Sequence, residues 1–176
     1  AFSEEALINR TNADLVNNLG NLVNRTISMS HKYFDGVVEN PKVNEEIDND
    51  LISAVISLKA KVDEKMAGLK VNEALEEIFE VLKRCNKYID ETTPWILAKD
   101  ETKHDRLKTV LYNILEGIRV CAILLEPFIN VTSEKILNEL NTNERSIESI
   151  SDFGNLECGI TLNKPEILFN RIEINE

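Results

Sequence analysis

NADLVNNLGNLVNR, residues 12–25, holds apolar residues at 15, 16, 19, 22 and 23, and Ile27 follows. The steps are one, three or four, the spacing of a single helical face. The same stretch carries five asparagines, Asn12, Asn17, Asn18, Asn21 and Asn24, and ends in Arg25. Asparagine is a mediocre helix former because its amide competes for backbone hydrogen bonds. The stretch therefore predicts a helix whose polar face has another use or is merely solvated.

Outward from it the pattern repeats. The first helix is expected to open near Ser3, where SEEA offers a capping serine and two first-turn acids, and to end at FDGVVENP, residues 34–41. A second is expected over roughly 44–69, with Leu51, Ile52, Val55, Ile56, Val62, Met66 and Leu69 as its stripe. A third covers roughly 71–91, opening at Asn72, with Leu75, Ile78, Phe79, Leu82, Cys85 and Ile89. Pro94 forces Thr93 out of the helical region and breaks the chain there. A fourth covers roughly 101–126, from Leu107 to Leu125, and stops at Pro127. Ser133 is expected to cap a short fifth over Glu134–Leu140, and one or two turns can follow in 144–153. The last stretch, from Asn155, alternates weakly around Gly159 and Pro165 and reads as an extended arm needing a surface outside this chain. The fold class is all-α: an antiparallel bundle of four to five main helices with a short extended C-terminal arm. The division expected is 1–141 for the bundle and 142–176 for the short helix plus arm.

Composition bounds the chemistry. The 176 residues are 43% hydrophobic, with six glycines and four prolines. The formal net charge is −11, which argues against non-specific duplex DNA binding. Residues 1–34 balance three acids against three bases, whereas residues 131–176 hold nine acids against four. The first helix thus escapes the general acidity, and a binder of a few bases can tolerate that distribution. Three cysteines without CxxC spacing, Cys85, Cys121 and Cys158, give neither a disulfide framework nor a zinc site, and fit a reducing cytoplasm. No apolar run reaches about 18 residues, the length of a membrane span. The start lacks a signal-peptide pattern and an initiator Met, so a piece of a longer chain is expected.

Catalytic signatures are missing: GxSxG, GxxxxGK[ST] and GxGxxG do not occur. Glu101 and His104 make one ExxH, where a di-metal bundle needs two, and His31 has Ser28 where the acid should stand. No catalytic or metal residue is assigned. Asn17, Asn21, Asn24 and Arg25 share one stripe. Amides donate and accept, and a guanidinium is a rigid fork, so the stripe can read base edges. It fits equally a buried inter-helix network or a solvated face. The lone Trp95, after Pro94, fits either a packed hinge or a stacking platform.

Two segments reach further. NADLVNNLGNLVNRTISMSHKYFDG (12–36) and NKYIDETTPWILAKD (86–100) together resemble bacterial methionyl-tRNA synthetases, class I aminoacyl-tRNA synthetases, and LYNILEGIRVCAILLEPFIN and KPEILFNRIE continue the likeness. The family joins methionine to its tRNA using ATP with Mg, through a catalytic domain with HIGH- and KMSKS-type motifs and often a zinc-bearing insertion. None of these occurs here. The resemblance implies the helical anticodon-binding domain, inactive alone, with no cofactor of its own. Its partners would be the tRNA(Met) anticodon loop and the parent's own catalytic domain, in the cytoplasm, without membrane or DNA. Carried over, the NLxxR block gives Asn21 and Arg25, the same helix gives Asn17, and DExxPW gives Asp90 and Trp95. Trp95 is then expected to stack on an anticodon base, Asn21 and Arg25 to bond base edges, and Asp90 to repel wrong anticodons. Asn170 departs from the proline usual in the family's closing segment. The alternative is a stand-alone acidic helical protein-interaction module.

Overall fold

The apolar stripe of the opening helix is buried as its spacing requires. Leu15, Leu19, Leu22, Val23 and Ile27 have no exposed surface and Val16 almost none. The structure, a computed structural model, describes the backbone of residues 2–165 and side chains from residue 13 onward. Helix α1 runs Phe2–Phe34, α2 Asp48–Ala67, α3 Val71–Thr92, α5 His104–Leu125 and α6 Asn130–Leu140. Between α3 and α5 lies a four-residue helix, α4, Pro94–Leu97, and single 3-10 turns occupy Glu101–Lys103 and Ile147–Ile150. Helices α1, α2, α3 and α5 form the expected bundle, with α3 and α5 at its centre. No helix among the described residues is long and apolar enough to cross a membrane.

Several local expectations change. Helix α2 begins at Asp48 rather than near 44. Residues 43–48 are instead tied to α5: Val43 N–H donates to Thr109 Oγ1 at 3.0 Å, and Arg106 Nη1 donates to Val43 O at 2.8 Å. Within α2, Ile56 is exposed and Leu58 takes the buried place. Helix α3 opens at Val71, so Asn72 is inside it rather than before it. Ser133 does not cap α6, which begins at Asn130. It lies within the helix, fully buried, and donates its hydroxyl to Ala122 O of α5.

Helix α5 is buried on every side from Thr109 to Leu125, including Asn113, Glu116 and Arg119. Its polar face is covered by the chain after α6. Glu116 Oε2 accepts from the N–H groups of Gly154 and Asn155 at 2.7 and 2.6 Å. Arg119 donates to Glu116, to Ser149 Oγ at 2.7 Å and to Glu144 O at 2.8 Å. Every strong group in that face thus has a partner, which is the condition for burying it.

The described part of the extended segment, residues 155–165, finds a surface within this chain. Val38 N–H donates to Ile160 O, Gly159 N–H to Val38 O and Leu162 N–H to Gly36 O, forming an isolated bridge beside the end of α1. Leu156 and Leu162 are buried in the same core as the helices. Asn170 and its neighbours lie outside the described residues.

Candidate nucleic-acid interface

Burial of one face of α1 turns the opposite face outward. Asn17, Asn21, Arg25 and Ser28, at steps of four, four and three, are all exposed. This removes the buried inter-helix network as an account of Asn17 and Asn21. Neither amide has a side-chain hydrogen bond among the described residues. The other asparagines differ. Asn18 Nδ2 donates to Asp14 O at 2.9 Å, a contact internal to the helix. Asn24 is half-buried, and its Oδ1 has no partner among the described residues.

Trp95 reaches this face because of a forced turn. Thr93 ends α3 with φ 45° and ψ 66°, in the left-handed region, and its N–H still donates to Ile89 O at 2.9 Å. Pro94 then takes the first position of α4, where its missing N–H is no loss. Pro94 is buried and the next two side chains are turned outward: Trp95 is 40% exposed and Ile96 54%. The Arg25 guanidinium carbon lies 5.7 Å from the centre of the Trp95 ring, a cation–π distance. Arg25 Nη2 also lies 3.9 Å from Asp90 Oδ1, and both side chains are open to solvent. The structure thus brings Arg25, Asp90 and Trp95 into one surface cluster and sets Asn21 and Asn17 along α1, one and two turns from it. Trp95 is a half-exposed ring rather than a packed hinge.

The Glu101–His104 pair is resolved structurally. His104 Nε2 meets Ala98 O at 3.1 Å, and its ring stands edge-on to Phe34 at 6.0 Å and 88°. His31 Nε2 meets Asn163 O at 3.3 Å. Among the described residues no three His, Cys, Asp or Glu are grouped as a metal site. Neither histidine contact was legible from spacing, because each joins segments whose relation only the fold sets.

A family model for the anticodon-binding domain of methionyl-tRNA ligase matches residues 38–176. The methionine–tRNA ligase of Clostridium acetobutylicum is 50% identical over 175 residues, covering 99% of this chain and 27% of the relative. That of Bacillus subtilis is 39% identical over 179 residues, again 27% of its length. The free-state methionyl-tRNA synthetase of Mycobacterium tuberculosis superposes with a TM-score of 0.84 at 34% identity, over 93% of this chain and 34% of that one. The matches put the bundle in the class of helical anticodon-binding domains. Within that class, the chain belongs to the family of anticodon-binding domains of methionyl-tRNA ligases. It spans about a quarter of the length of the curated relatives it matches.

Proposed function

We propose that the face formed by Asn17, Asn21, Arg25, Asp90 and Trp95 reads the CAU anticodon of tRNA(Met) for a cytoplasmic methionine–tRNA ligase. The observation that carries this is the exposed Arg25–Trp95 pair, with Asp90 beside it, at the end of an exposed asparagine stripe. Loop bases are single-stranded, and proteins read such bases by stacking and by edge hydrogen bonds. Trp95 supplies the stacking surface. Arg25 supplies a bidentate fork that lysine cannot copy, and Asn17 and Asn21 supply donors and acceptors. Asp90 repels bases whose edges present acceptors there. In this reading the ATP-dependent ligation, with its Mg and, in many members, Zn, belongs to a catalytic domain, and the present residues contribute recognition alone.

The test is binding of a CAU anticodon stem-loop against a GAU control. Arg25→Ala and Trp95→Ala are each expected to weaken CAU binding by roughly 1–3 kcal/mol, and Arg25→Lys to fall nearer Ala than wild type. Equal binding by wild type and both alanine variants would refute the assignment.

A further inference from the structure

Helix α4 has too little buried surface to hold itself in place. Of its four residues only Pro94 is buried, while Trp95 and Ile96 point outward and Leu97 packs partly on the core. A four-residue helix held by one buried and one partly buried residue is not stable alone. Something must fix the turn if Trp95 is to keep its place over Arg25.

One side chain touches the right elements. His104, the first residue of α5, sets its Nε2 3.1 Å from the carbonyl oxygen of Ala98, which directly follows α4. The same ring meets Phe34, the last residue of α1, edge-on. Phe34 is itself also contacted by α5, with Lys108 Nζ at 5.4 Å from the centre of its ring. His104 therefore bridges the end of the helix that carries Arg25 and the end of the turn that carries Trp95. A carbonyl oxygen only accepts, so Nε2 carries the proton. We propose that His104 is the positioning residue for Trp95: its Nε2–H bond to Ala98 O and its contact with Phe34 lock the α4 turn against α1 and set the Arg25–Trp95 spacing. Its importance for RNA rests on the anticodon reading above; its hold on Trp95 does not.

Trp95 is the only tryptophan of the chain, so its fluorescence reports this turn directly. Two variants of the 176-residue chain separate the hydrogen bond from bulk. His104→Leu keeps volume and removes the donor; His104→Gln keeps an N–H donor. Acrylamide should quench Trp95 more strongly in His104→Leu and as in wild type in His104→Gln. Affinity for the CAU stem-loop should fall about fivefold in His104→Leu, the worth of one neutral hydrogen bond, and be restored in His104→Gln. Wild-type quenching and wild-type affinity in His104→Leu would overturn the proposal, as would equal impairment in both variants. Nitrogen-15 spectra of the wild-type histidines provide an arm that needs no variant: the Nε2–H tautomer at His104 is expected, and the Nδ1–H tautomer overturns the proposal even if His104→Leu fails to fold. If wild type shows no CAU preference, the anticodon reading falls, while quenching and tautomer still decide the positioning role.

Discussion

Asp48→Asn probes the buried network that fixes the entrance to α2 against α3 and α5. Asp48 Oδ1 accepts from Tyr88 Oη at 2.7 Å and Arg106 Nη2 at 2.8 Å, and Oδ2 accepts from Arg106 Nη1 at 2.7 Å and the Glu45 N–H at 3.1 Å. Asp48 and Tyr88 have no exposed surface, and Arg106 is 6% exposed. Asparagine keeps one accepting oxygen and turns two hydrogens toward groups that themselves donate. Two of the four bonds go, and Arg106 is left in the interior with one bond to the remaining oxygen of residue 48, Val43 O at 2.8 Å and the exposed Glu45 carboxylate at 3.3 Å. Breaking a buried pair from one side costs about 3–5 kcal/mol, and the surviving partners put this case near 3. For a chain of this size that is a fall of roughly 6–12 °C in Tm. Urea unfolding followed by far-UV circular dichroism measures it, and a loss below about 1 kcal/mol would refute the argument. Asp48→Leu combined with Arg106→Met should lose much less than the sum of the single changes, because no charge is then stranded. The same site sets a pH dependence. Burial pushes the Asp48 carboxyl up, but the bonds from Arg106, Tyr88 and the Glu45 N–H outweigh it and hold the group below its ordinary value of 3.8. A depressed folded value means stability that is present above 3.8 and is lost as pH falls through the folded value. Wild type should therefore weaken below about pH 4, and Asp48→Asn should flatten that decline.

Gly36→Ala should cost about 2 kcal/mol, because φ is +80° and the new Cβ would stand 2.5 Å from Cε1 of His31, whose ring also contacts Asn163 O. An unchanged urea midpoint would contradict this. A disulfide exchange reagent at pH 8 should label one thiol, the exposed Cys158, in the native chain and three after unfolding. Cys85 and Cys121 are buried, and burial pushes the Cys85 thiol up to about 12; two fast-reacting thiols would show that the core opens.

The helices were legible because their apolar spacing and their prolines speak locally. Pro94 displaced Thr93 from helical geometry as expected, and α3 ends within a residue of its predicted limit. What failed was decided at a distance. The start of α2 depends on Val43 bonding to Thr109, sixty-six positions away. Ser133 looked like a cap because Ser is a good one, yet Ala122 O of α5 offered its hydroxyl a buried acceptor. Nothing in their spacing marks the polar residues of α5 as buried rather than solvated. They are interior groups whose partners, Ser149, Gly154 and Asn155, belong to a stretch with no periodic signal. For the candidate site, spacing put Asn17, Asn21 and Arg25 on one stripe without distinguishing a buried from an exposed one. Only packing of the opposite face settled that, and only the α4 turn brought Trp95 to Arg25.

The proposed reading places a further demand on Arg25, which must leave its present contacts to meet a base. Its contact with Asp90, at 3.9 Å and open to solvent, is worth at most about 1 kcal/mol. The cation–π contact with Trp95, 5.7 Å to the ring centre, adds about 0.5–1 kcal/mol at an exposed site. Releasing the guanidinium thus costs about 0.5–2 kcal/mol, against about 1–3 kcal/mol of discrimination from one good bidentate base contact. The two nearly cancel when the contact is poor and leave a net gain only when it is good. Arg25 held in this way favours the base that satisfies both arms of its fork. The backbone beneath it needs no such freedom: Leu22, Val23 and Ile27 anchor α1 around Arg25, and His104 ties the Trp95 turn to the same helix. Loose side-chain contacts on a fixed frame are what a reader of single-stranded bases requires, since the frame sets the distances and only the fork has to move.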